Sequence, residues 1–101
     1  MSQDEIVEAV PLEYAALSLD ELARACAVEP EWVILHVQRG ILLGSGRVES
    51  LQFTSEALGR ARRLAQVERD FDADADLAAL VVDLCDEVRR LKSRLGAAGA
   101  A

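Results

Sequence analysis

The chain has 101 residues, 51% of them apolar and 29% charged, a balance that builds one compact domain and excludes an intrinsically disordered composition. Its 11 basic residues stand against 18 acidic ones, a formal net charge of −7, which argues against a surface made for phosphate. No apolar run approaches the ~18 residues of a membrane span, and the start from Met1 to Pro11 is acidic where a signal peptide is basic, so the expected compartment is the cytoplasm.

Residues 1–11 read as a flexible leader, and 12–71 as the body of the domain. Leu12 to Leu17 has the composition of a short strand. Ser18-Leu19-Asp20-Glu21 is a Ser-x-x-Glu capping box, and Leu19, Leu22, Ala23 and Cys26 then share one helical face. Glu29-Pro30 opens a second helix, with Val33, Ile34 and Val37 on its apolar side and Gly40 as its stop. Two short helices joined by a turn of about three residues form a helix-turn-helix pattern. Ile41 to Leu43, Gly44-Ser45-Gly46 and Arg47 to Phe53 predict a β-hairpin, or wing. Thr54 starts a third helix whose inner side runs through Ala57, Leu58, Ala61, Leu64 and Ala65, with Glu68 placing a charge on that side. Arg60, Arg62 and Arg63 on this helix read either as a solvated face paired with nearby acids or as phosphate contacts.

Residues 72–95 predict a long C-terminal helix, acidic at its entry as the macrodipole favours, and 96–101 a flexible tail. Leu77, Val81, Leu84, Val88, Leu91 and Leu95 recur at alternating spacings of 4 and 3, a heptad seam. The seam is flanked by Leu80 and Cys85 in its first half, which predicts that residues 77–87 cover the core. From Val88 onward only the seam is apolar, which predicts that Val88, Leu91 and Leu95 reach a second copy of the chain, in either a parallel or an antiparallel pair.

The chemistry-bearing residues are few. Cys26 and Cys85 lie far apart in apolar helical patterns with no second Cys or His at ligand spacing, so no metal site is expected. His36 is the only histidine, without a local catalytic signature, and Gly44-Ser45-Gly46 lacks the Lys-Ser/Thr and helix of a phosphate loop. No cofactor and no enzymatic activity are expected.

The segment LDELARACAVEPEWVILHVQRGILL resembles a MerR-type winged helix-turn-helix, down to its Arg-Gly-Ile-Leu ending, although Ile34-Leu35-His36 stands where MerR proteins carry an Arg-Tyr-Tyr-like run. The second half is similar to the bacterial chaperone-modulator (CbpM) family. The matching elements are Phe53-Thr54, Arg60-Ala61-Arg62-Arg63-Leu64, Glu68-Arg69-Asp70, Asp83-Leu84-Cys85-Asp86-Glu87, and Arg90-Leu91 through Leu95. Asp74-Ala75-Asp76-Leu77 departs from that family's Asn-x-x-Gly step.

The resemblance implies a mainly α fold: a MerR-like winged helix-turn-helix with a small β-hairpin and a long C-terminal helix. It also implies a protein-binding inhibitor of a DnaJ-like J-domain co-chaperone in the Hsp70 system, acting by covering the J-domain. The alternative is a MerR-like DNA-binding regulator. Up to Phe53 the chain carries three Arg against nine acids, which disfavours nucleic acid and suits a basic partner. The expected partner-binding residues are Asp83, Asp86 and Glu87, with Trp32 and Leu35, ringed by Glu29 and Glu31, as an apolar anchor if they face outward and as core if they face inward.

Overall fold

The computed structural model describes residues 17–99, with side chains as far as Gly96. The leader, most of the strand expected over Leu12 to Leu17, and the end of the tail lie outside the described residues. The order is β1 (Leu17–Ser18), α1 (Leu19–Cys26), α2 (Pro30–Gln38), β2 (Gln52–Phe53), α3 (Ser55–Phe71) and α4 (Ala75–Gly99), so the chain is mainly helical.

The first helix starts where the capping box requires. The Ser18 side chain accepts from the Glu21 amide at 3.1 Å, and the Glu21 carboxylate accepts from the Ser18 amide at 2.9 Å. These two contacts satisfy donors that a helix start otherwise leaves open. α1 ends on Ala27, whose φ of 57° is left-handed. Pro30 then opens α2, where a missing N–H costs nothing. Thr54 caps α3 by accepting from the Ala57 amide at 3.1 Å.

The connection after α2 differs from the expected wing. The amides of Ile41 and Leu42 both donate to the His36 carbonyl, at 2.9 and 3.1 Å, so they extend the turn that ends α2 and have no hydrogen left for a ladder. Both side chains are buried. What remains of the hairpin is one bridge between Ser45 and Gln52, with a single 3-10 turn at Val48–Ser50 inside it. β2 pairs instead with β1, antiparallel, Leu17 opposite Phe53.

Leu22, Val33, Leu42, Phe53 and Leu64 fill the core, joined by the alanines of α3. α4 closes over this core with Ala75, Ala78 and Val82. The seam of large residues does not. Leu77 is 51% exposed and Leu84 56%, so the expectation that 77–87 cover the core through the seam is corrected. Two positions along a helix turn the side chain by about 200°, so with Val82 buried Leu84 projects away from the body. The physical reason is bulk. Small residues allow close helix approach, and alanines rather than leucines occupy the buried side of α4.

Candidate functional site

The polar centre of the body is built from α2 and α3. His36 is 1% exposed, and its position one turn after Trp32 stacks the two rings with centroids 3.8 Å apart. His36 Nδ1 lies 2.7 Å from the Trp32 carbonyl oxygen. That oxygen only accepts, so Nδ1 carries a hydrogen. His36 Nε2 lies 2.7 Å from Glu68 Oε2, and Trp32 Nε1 donates to Glu68 Oε1 at 2.8 Å. One carboxylate from α3 therefore engages two rings of α2, and no buried side-chain nitrogen or oxygen among the described residues lacks a partner. Glu68, the charge that the third helix's pattern placed on an inner face, is there because these rings need an acceptor. Periodicity gave its face; its partners, more than thirty positions away, had no sequence signal.

Trp32 is half-buried, packed against the core and held by this carboxylate, with one side lining a groove of about 430 Å³ between the α1–α2 turn and α3. Glu29 and Arg69 stand on the same groove. Glu31 is exposed on the first turn of α2, and Leu35, one turn further, is 41% exposed. Sequence reasoning paired Leu35 with Trp32 as an anchor. The structure separates them: Trp32 joins α2 to α3, and Leu35 is the apolar residue open to solvent. Arg39, one turn beyond Leu35, pairs with Asp76 of α4 at 3.4 Å.

Asp83 and Asp86 are not free acids. Arg60 donates to Asp83 at 2.7 Å and also, through Nε, to the Ile41 carbonyl at 2.7 Å. Arg63 reaches Asp86 at 3.5 Å, and Arg89 reaches the other oxygen of Asp86 at 3.2 Å. Glu87 accepts from Arg90 on its own helix. The arginines of α3 are thus a face paired with acids, and the paired acids hold α4 on the body. Such exposed pairs contribute at most about 1 kcal/mol each.

Val88, Leu91 and Leu95 are exposed, as are Leu77, Leu80 and Leu84. Phe71, at the α3–α4 turn, is 73% exposed among Asp70, Asp72 and Asp74. Cys26 is buried and Cys85 exposed, both as free thiols. Among the described residues no group of His, Cys, Asp and Glu gathers as metal ligands do, and no helix is long and apolar enough to cross a membrane. No protein-family model matches the chain, and no curated protein or solved structure matches it.

Proposed function

We propose that the chain is a protein-binding inhibitor of a DnaJ-like J-domain co-chaperone in the Hsp70 system, acting in the cytoplasm on a MerR-like winged helix-turn-helix body. It works by occlusion, covering the basic J-domain surface that Hsp70 needs, and carries out no chemistry of its own. The observation that carries this reading is the outward side of α2. In a DNA reader the second helix of the motif brings cations and polar side chains to the groove. Here it presents Glu31 and the exposed Leu35, while Arg39 is engaged by Asp76. An apolar side chain with an acid one turn before it suits a basic protein surface better than a duplex.

The roles of the expected contact residues follow from their pairing. Glu31, with Leu35 beside it, makes direct contact with the partner, and Trp32 supports that surface from beneath. Asp83 and Asp86 add negative field near α4 while bridging Arg60 and Arg63, and Glu87 adds to it from the same helix. Binding kinetics with a purified J-domain test the reading. Glu31→Lys with Leu35→Ala is expected to abolish binding, and the wild-type association rate is expected to fall as salt rises. A J-domain that does not bind the wild-type chain, or a sequence-specific DNA complex at physiological salt, overturns it in favour of a MerR-like regulator. A stable ternary complex of chain, J-domain and Hsp70 with full inhibition overturns occlusion.

A further inference from the structure

The contacts around His36 hold one proton more than a neutral imidazole and a carboxylate carry between them. Nδ1 faces the Trp32 carbonyl oxygen at 2.7 Å, and Nε2 faces Glu68 Oε2 at 2.7 Å. A carbonyl and a carboxylate only accept, so each ring nitrogen supplies a hydrogen and the ring is an imidazolium. The indole of Trp32, stacked on it with centroids 3.8 Å apart, offers a face that attracts a cation. The His36 side chain is 1% exposed and that of Glu68 18%, a setting in which an ion needs its counter-ion at hydrogen-bond distance. We propose that the junction of α2 with α3 is a proton-dependent clasp, closed while His36 and Glu68 share this proton and loosened when it leaves. The proposal does not rest on the J-domain reading.

Loss of the proton cannot be absorbed by the ring. With the hydrogen kept on Nδ1, Nε2 and Glu68 Oε2 face each other as two acceptors. With it kept on Nε2, Nδ1 faces the Trp32 carbonyl bare. One of the two contacts fails in either tautomer, and among the described residues no buried side-chain donor is left unpaired to replace it. The same carboxylate also accepts from Trp32 Nε1, so both rings of α2 are tied to α3 through one side chain. α2 carries Glu31 and Leu35 on its outward side, and the clasp therefore sets how firmly that surface is held on the body.

The charged and titratable groups packed around the clasp come from every neighbouring element. α1 brings the Cys26 thiol, which burial holds in its neutral form beyond its ordinary range. α3 brings Arg62 and Arg69 near that thiol, and Arg69 lines the Trp32 groove together with Glu29 of the α1–α2 turn. Arg60 of α3 reaches the Ile41 carbonyl but is paired with Asp83 of α4, and Asp76 of α4 is paired with Arg39. His36 is the only histidine of the chain, and histidine is the side chain whose ordinary range falls between about pH 5 and 8. The closed clasp needs the proton, whereas an unfolded chain releases it through the ordinary imidazole range near pH 6.5. Stability is therefore whole below that range and falls as pH rises.

Glu68→Gln provides the comparison, because its amide donates to a bare Nε2 and so does without the proton. In the wild-type chain the urea midpoint, followed by Trp32 fluorescence, is expected to fall as pH is raised from about 6 to about 8, the unfolding constant changing by at most about tenfold per pH unit, the limit for one proton. In Glu68→Gln the midpoint is expected to rise over the same range, because there the folded chain excludes the proton. Other titrating groups are common to both chains and cancel in the comparison. Nitrogen NMR of the folded wild-type chain just below about pH 6.5 is expected to find a hydrogen on each ring nitrogen of His36. The wild-type profile and the NMR decide the matter even where Glu68→Gln does not fold. A wild-type midpoint that does not fall with pH, equal profiles for the two chains, or a bare Nε2 in the folded wild-type chain at that pH overturns the clasp.

Discussion

Replacing Glu68 separates the work of its charge from that of its hydrogen bonds. In Glu68→Ala two donors or acceptors lose their partner at once: His36 Nε2, on a ring that is 1% exposed, and Trp32 Nε1, on a half-buried ring. A stranded buried polar group costs about 1–3 kcal/mol. Water entering the groove beside Trp32 keeps the indole near the lower figure, and the enclosed imidazole lies near the upper one, giving a loss of about 4 kcal/mol. For a domain of this size that corresponds to a fall in Tm of about 16–32 °C. Glu68→Gln behaves differently. In this variant Nε2, without a hydrogen, accepts from the new amide, whose oxygen still accepts from Trp32, whereas the carboxylate only accepts and faces an Nε2 that donates. The expected loss is about 1 kcal/mol or less. Urea unfolding followed by the fluorescence of Trp32, the only tryptophan in the chain, measures both variants. A Gln variant as unstable as the Ala variant refutes the reasoning, because the contact is then held by charge and not by matched donors and acceptors.

Gly44→Ala is expected to lose about 1–3 kcal/mol in the same assay, because its new Cβ sits 2.9 Å from Phe53 Cε1 in the core; an unchanged midpoint contradicts this. Ala27→Gly relieves a left-handed residue at the end of α1 and is expected to raise stability, by at most about 1 kcal/mol after the greater freedom of glycine in the unfolded chain is counted; a lower midpoint shows that the strain is not there. Burial pushes the Cys26 thiol above its ordinary 9.0, with Arg62 and Arg69 pulling partly the other way. The folded chain therefore keeps this proton where the unfolded chain releases it, so its contribution to stability is whole below about pH 9 and is lost as pH rises beyond it. At neutral pH a thiol reagent is expected to label Cys85 at once and Cys26 only on unfolding; equal rates count against the burial of Cys26.

Local chemistry was legible in the sequence wherever neighbours decide the outcome. Ser18 with Glu21, Pro30, Gly40 and Thr54 each mark a helix boundary through contacts made within a few residues, and α1, α2 and α3 stand where those signals place them, whereas α4, expected over 72–95 with a flexible tail after it, runs from Ala75 to Gly99. The wing failed because Ile41 and Leu42 have two uses for their amides, and the turn that ends α2 lies nearer than the strand. The seam of α4 was read correctly as one face, yet periodicity says only which residues share a side. Alanines carry little hydrophobic signal, so the side that meets the body was hidden behind the side with the larger residues. The ring cluster of α2 and its carboxylate join positions from separate helices, and nothing in the spacing of His36 or Glu68 announces the other.

The slender attachment of α4 has a consequence for how the molecule opens. Ala75, Ala78 and Val82 remove little apolar surface from water, and the pairs with Arg39, Arg60 and Arg63 are solvated. Opening free energies differ between parts of one fold, and an isolated helix of fewer than ~15 residues is marginal in water. Amide hydrogens in α4 of the lone chain should therefore exchange ahead of those in α1, α2 and α3, fastest from Val88 to Gly99 and more slowly toward Ala75. Any surface that covers Leu84 and Leu91 would slow this exchange along the whole helix, so the helix that holds least to its own body is the one that most clearly registers a neighbour.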